Sequence, residues 1–186
     1  MNSILSRTRF LLAAGSLALA AWVAPAQAQT FSTAGGTLAW NNTANWTPAV
    51  VPGVAGDPAT FDGITIATTV TLDDGAVAFP AILGNLVFNN TNTAAITIAP
   101  GLGGTLAFNN NLVASTLTVA TGNTVSITAN VTVASVGLNI TNNGTLGLAA
   151  VDNGTFALTI NGSGGTTIGG ALTGSGLVTY SGTGSL

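Results

Sequence analysis

Residues 116–128 read TLTVATGNTVSIT, and this stretch decides the fold class of the chain. Apolar and polar side chains alternate on both sides of a central TGN segment, with Leu117 and Val119 before it and Val125 and Ile127 after it. Alternation with a period of two, rich in β-branched residues, is typical of short strands that bury one face. The Gly and Asn between the two runs indicate a turn. The same pattern recurs beyond this stretch, and no later window favours an amphipathic helix, so we predict an all-β protein.

The strands repeat with a period close to twenty residues. One series of strand centres contains Leu86, Leu106, Ile127, Leu146 and Ile168, and a second contains Ile96, Leu117, Leu138, Leu158 and Leu177. Two series that share one period predict the coils of a parallel β-solenoid, in which inward apolar residues stack from coil to coil. Asparagines at positions 89–90, 109–111 and 130 have a similar spacing and are expected to form a ladder at the turns. An antiparallel sandwich is the alternative, but it gives no reason for the two series to keep step.

Composition divides the chain into three segments. We expect a signal peptide at residues 1–28, an N-terminal cap region at 29–84 and solenoid repeats at 85–186. The cap region contains most of the prolines and acids, whereas the repeats are rich in Thr, Gly, Asn and aliphatic residues. Residues 177–180, LVTY, read as a strand of a final coil without a polar cap after it. We therefore expect an amino-terminal fragment, truncated within its repeats, whose open edge can pair edge to edge with another chain.

The first segment has the three parts of a secretory leader. Arg7 and Arg9 form a positive n-region, residues 10–23 are apolar, and the sequence Ala-Gln-Ala at 26–28 provides a cleavage site after Ala28. The apolar run is shorter than the ~20 residues that a helix needs to span a bilayer. The sequence therefore predicts export by the Sec translocation machinery to the bacterial cell surface or the medium.

Side chains that carry chemistry are scarce after the leader. Arg7 and Arg9 are the only cationic residues, the five acids are all Asp, and the chain has no His or Cys. General bases and activated nucleophiles usually require His, Lys, Cys or Glu, and nucleic-acid binding requires cationic side chains. We therefore expect no enzymatic activity, no cofactor and no nucleic-acid partner.

Two groups of residues are candidate sites. Trp40 and Trp46 are predicted either to plug the end of the core or to form a platform for stacking sugars, with the plug favoured. Among the acids, all except Asp73 directly precede a turn-forming residue, which explains them without catalysis. Asp73 and Asp74 are adjacent, so on a strand they would point to opposite faces rather than form the carboxylate pair of a glycosidase. We predict no metal site.

Several motifs resemble a known family. Trp40 and the Ala-Asn-Trp at 44–46 are followed by Val-Pro at 51–52, by GDPATF at 56–61 and by G-x-L-x-F at 84–88 and 104–108, and the segment 172–186 reads LTGSGLVTYSGTGSL. This order resembles bacterial autotransporter passenger proteins that carry autotransporter-associated β-strand repeats. The resemblance implies a right-handed parallel β-helix stalk, displayed at the cell surface by a C-terminal β-barrel. It implies no catalytic residues.

The sequence therefore favours a non-catalytic, secreted or surface-displayed stalk or adhesin. The alternatives are a short secreted solenoid that binds a carbohydrate or a cell surface, and a β-helix enzyme that cleaves polysaccharides. The predicted fold also makes a contrast between two substitutions: Leu117→Asp should unfold the rod, whereas Asn123→Asp, in a turn, should be nearly silent.

Overall fold

The computed structural model describes residues 27–73 and 75–186, and in these ranges the chain consists of short β-strands and turns. One 3-10 turn, Thr43–Asn45, lies among them. No helix in this part of the chain is long and apolar enough to cross a membrane. Parallel strands from successive turns of the chain stack into three sheets, so the predicted all-β solenoid is confirmed.

The strands are distributed over three sheets. Sheet A contains β1 (Gln29–Phe31), β3 (Trp46–Thr47), β4 (Pro58–Phe61), β7 (Asn85–Phe88), β10 (Ser115–Val119), β13 (Gly137–Asn142), β16 (Ala157–Asn161) and β19 (Val178–Tyr180). Sheet B contains β2 (Gly36–Ala39), β5 (Thr68–Thr71), β8 (Ala95–Ala99), β11 (Thr124–Ile127), β14 (Thr145–Leu148) and β17 (Gly165–Ile168). Sheet C contains β6 (Ala81–Leu83), β9 (Leu106–Phe108), β12 (Val131–Val133), β15 (Val151–Asp152) and β18 (Leu172–Thr173). From β4 onward the chain visits sheets A, B and C in turn, which gives complete coils that end at β6, β9, β12, β15 and β18.

The period of twenty holds only in the later coils. Ile160 of β16 pairs with Tyr180 of β19, twenty residues on, but Phe88 of β7 pairs with Val119 of β10, 31 residues on. Because the early coils contain more than twenty residues, two positions that are twenty residues apart there lie in different sheets. Leu86 and Leu106, placed in one series, lie in sheets A and C, and that part of the predicted register is wrong. Leu138 and Leu158, by contrast, are true neighbours between β13 and β16.

The boundary expected at residue 84 is not a break in the sheets. Strand β4 pairs in parallel with both β1 and β7, so the strands of residues 29–84 are continuous with the sheets of the rod. This end of sheet A is closed by β3, which runs antiparallel to β1 and pairs Trp46 with Phe31. Among the described prolines and acids of this segment, only Pro58 belongs to a strand, and the others lie in the connections.

The core is a column of stacked apolar side chains. Inward residues alternate with outward ones along each strand, and parallel pairing places equivalent positions above one another. The rings of Phe31, Phe61 and Phe88 stack across three successive coils, with centroids 4.9 and 5.0 Å apart. Val119 takes the next level of the same column. Because each coil covers the apolar face of the one before it, burial is repeated along the rod rather than concentrated at one centre.

Asparagines do stack at one corner, but not in the predicted ladder. Asn123 accepts a hydrogen bond from the backbone N–H of Asn90 at 3.0 Å and donates its Nδ2 to the Asn90 carbonyl at 3.1 Å. Asn90 in turn accepts from the N–H of Ile64. These residues lie in successive coils of the corner between sheets A and B, whereas Asn109 and Asn130 follow or precede strands of sheet C. The ladder prediction was wrong because it used the uniform period of twenty.

Candidate functional site

Trp40 and Trp46 lie in the core. Their exposed fractions are 0% and 2%, and their ring centroids are 4.9 Å apart in an edge-to-face arrangement. Trp40 donates its Nε1–H to the carbonyl of Pro52 at 2.8 Å, and Trp46 donates to the carbonyl of Trp40 at 2.7 Å. Both rings also pack against Phe61. Neither indole offers a free face to a sugar, so the stacking platform considered for these two residues was wrong.

The acidic side chains are used in turns. Asp74 lies outside the described residues, and each of the other four carboxylates accepts hydrogen bonds from backbone N–H groups. Asp57 accepts from Gly53 and Val54, Asp62 from Gly63, Asp73 from Gly75 and Leu102, and Asp152 from Gly154. Within residues 27–73 and 75–186, no three acidic, His or Cys side chains are grouped so that they could hold a metal ion. These contacts match the turn chemistry that the sequence pattern indicates.

The first strand begins next to the predicted cleavage site. Residues 1–26 are outside the described part of the chain, so the leader prediction is not addressed there. Gln27 and Ala28 are exposed and belong to no strand, and β1 starts at Gln29. Cleavage after Ala28 would therefore leave every described strand intact.

The last coil, by which we mean β18 and β19 together, exposes its inward-facing side chains. Val178 pairs with the buried Leu158, and Leu172 pairs with the buried Val151, so both side chains continue inward columns of the core. Their exposed fractions are nevertheless 39% and 43%, because no described strand covers them. Leu177, the predicted strand centre, is not the inward residue and is 72% exposed. Sequence periodicity located this strand to within one residue, but only the register identifies Val178 as the position that faces the core.

An apolar hollow lies between the last strands of the rod and Leu186. Its volume is about 340 Å³, and it is lined by Ile160, Thr167, Ile168, Gly170, Leu172, Val178 and Leu186. Ser185 accepts a hydrogen bond from the N–H of Thr166, so the final residues follow the edge of sheet B. Strands β18 and β19 remain unpaired on their outer side among the described residues. The described strands therefore leave these backbone edges and the apolar side chains beside them exposed.

Comparisons with family models, with curated proteins and with solved structures find no match to this chain.

Proposed function

We propose that this chain is an exported, non-catalytic β-solenoid of the autotransporter-passenger type, which serves as a stalk or adhesin at the bacterial surface. The observation that carries the proposal is the regular stacking of complete coils, in which each described carboxylate accepts at least one backbone N–H. Such a rod supplies length and surface rather than a reactive centre.

Export is supported by the sequence of the leader and by the position of the first strand. A positive n-region, an apolar run and an A-x-A site precede Gln29, the residue at which the solenoid begins. A signal peptidase needs an accessible, extended site, and residues 27 and 28 are exposed and lie outside the strands. Cleavage after Ala28 would remove no residue of a described strand.

The composition after the leader supports a structural role. Residues 27–186 contain no Lys, Arg, His, Cys or Glu. A rod with only carboxylates as charged groups has few means of general acid–base or covalent catalysis. Within the described part of the chain, β18 and β19 have no partner on their outer side, and such edges would accept further strands.

Production of the full chain in a Gram-negative host tests the proposal. We expect the exported protein to begin at Gln29, as measured by intact mass and by N-terminal peptide mapping of the periplasmic and secreted fractions. Ala28→Arg removes the small residue before the cleavage point and should leave the leader attached, whereas Ala28→Gly keeps a small residue and should be processed normally. Recovery of wild-type chain from the cytoplasm with its leader intact would contradict the proposal.

A further inference from the structure

The outer face of sheet C carries a groove that is lined by both polar and apolar residues. Its volume is about 270 Å³, and it spans four coils, or about 14 Å at ~4.8 Å per coil. We call it the sheet C groove. It is lined by Thr105, Asn130, Val131, Thr132, Ala150, Val151, Asp152, Ala171 and Thr173.

Two outward columns of side chains form the groove. Thr132, Asp152 and Thr173 are direct neighbours in the pairing of β12, β15 and β18, and they project outward because they alternate with buried residues such as Val131 and Val151. The second column lies directly before these strands, and the carbonyls of Asn130, Ala150 and Ala171 each accept a hydrogen bond from a strand N–H of the preceding coil. It consists of Thr105, Asn130, Ala150 and Ala171. Because the two alanines are small, a hollow remains beside Asp152 and Thr173.

Asp152 lies in this groove and accepts one backbone hydrogen bond. Its Oδ1 accepts the N–H of Gly154 at 2.9 Å, and the side chain is exposed. Among the described residues, no donor is bonded to its second oxygen. The side chains of Thr132 and Thr173 stand on either side of it in the same column. A carboxylate is thus placed between two threonines, whose hydroxyl groups can donate or accept.

We propose that the sheet C groove binds a neutral oligosaccharide. The groove presents a carboxylate that only accepts hydrogen bonds, hydroxyls that do both, and the Asn130 amide that does both. Sugar hydroxyls also donate and accept, so they match this mixed set. A cationic ligand, which the carboxylate would attract, is the competing class that hexalysine tests below. Anionic ligands are disfavoured because residues 27–186 contain no cationic side chain to receive them. The proposal does not depend on export or on the passenger type.

The groove contains no aromatic residue, so recognition rests on hydrogen bonds that replace bonds to water. A few such bonds give weak binding, with a Kd on the order of 1 mM. Weak binding of this kind would become effective when several rods act together on one polysaccharide.

Titration of the isotopically labelled full chain, followed by amide NMR shifts, tests the proposal. The probes are the neutral hexasaccharides of maltose, cellulose, xylan and mannan type, with hexagalacturonate and hexalysine as charged comparisons. We expect saturable shifts at Thr132, Asp152 and Thr173 with at least one neutral probe and none with hexagalacturonate. The proposal is overturned by the absence of shifts with all neutral probes, by shifts confined to another surface, or by tighter binding of hexalysine at Asp152.

Two variants assign the effect to the groove. Asp152→Asn keeps an oxygen for the N–H of Gly154 but removes the charge, and should weaken binding about tenfold. Asp62→Asn is the matched control, because Asp62 is exposed, accepts the N–H of the following Gly63 at 2.8 Å and does not line the groove. Equal weakening by both variants would exclude a local role. Thr132→Val, which removes one hydroxyl from an outward strand position, provides the same test if Asp152→Asn perturbs the turn.

Discussion

At the scale of single residues, Asn123 shows why a turn position need not tolerate change. Its side chain is 1% exposed, and its Nδ2 group donates to the carbonyls of Asn90, Ala120 and Thr121 at 3.1, 3.2 and 3.4 Å. The sequence pattern predicts that Asn123→Asp is nearly silent, because the residue lies between two strands. The donor role of Asn123 depends on a neighbour 33 residues away in the chain, which a local pattern does not show.

We expect Asn123→Asp to lower the free energy of unfolding by about 3 kcal/mol. A carboxylate cannot donate to the three carbonyl oxygens, and it would be a buried charge facing them. Asn109→Asp is the control, because Asn109 also lies in a turn but its side chain accepts from the N–H of Asn111, which a carboxylate can replace. We expect a change within about 0.5 kcal/mol there. Urea denaturation monitored by circular dichroism measures both, and equal stability of the two variants would contradict the donor role of Asn123.

At the scale of structural elements, the corner between sheets A and B is built around a column of glycines. A Cβ atom at Gly144 would overlap the carbonyl oxygens of Asn123 and Ala120 in the preceding coil. In the following coils, Gly164 and Gly184 meet the carbonyl oxygens of Gly144 and Gly164 in the same way. The corner therefore depends on the close approach of backbone to backbone, which a side chain prevents.

We expect Gly144→Ala to destabilise the rod by about 2–3 kcal/mol, because the added methyl group forces adjacent coils apart. Gly147→Ala is the matched control in the same coil. A Cβ at Gly147 meets its nearest neighbours, atoms of Ser126 and Val125, at 3.9 Å, an ordinary contact. Thermal denaturation should show a lower Tm for Gly144→Ala and little change for Gly147→Ala. A similar Tm for both would mean that the corner can relax around a side chain.

The strands themselves were largely predictable from the sequence, but the partner with which each strand pairs was not. Alternation of Leu117, Val119, Val125 and Ile127 is a local property, and these residues are buried on β10 and β11 as expected. Register is a non-local property, set by turn lengths that differ between the early and late coils. The sheet C groove depends on register alone, since Thr132, Asp152 and Thr173 share no motif. For the same reason, the burial of the two tryptophans could be favoured from composition but not established.

At the scale of the whole molecule, the rod combines charges of a single sign with an apolar end. Residues 27–186 contain five acids and no cationic side chain, so two copies repel each other weakly at a distance and cannot be joined by side-chain ion pairs. The attractive surface is the final coil, where the inward residues Leu172 and Val178 are exposed and the edges of β18 and β19 are free among the described strands. Association through this end would rest on apolar burial and backbone pairing.

We therefore expect the full chain to self-associate through its last coil, and to do so more strongly as NaCl is raised, because salt screens the repulsion between acidic rods. Val178→Asp places a charge at the exposed end of the core and should shift the chain toward monomer in sedimentation-velocity measurements. Leu112→Asp adds the same charge at a loop position that is 91% exposed and away from the last coil, and should associate like the wild type. Equal loss of association in both variants would show that net charge, not the open coil, controls assembly. A wild-type chain that stays monomeric at high concentration and high salt would show that the final residues already protect the edge, and would contradict association through this end.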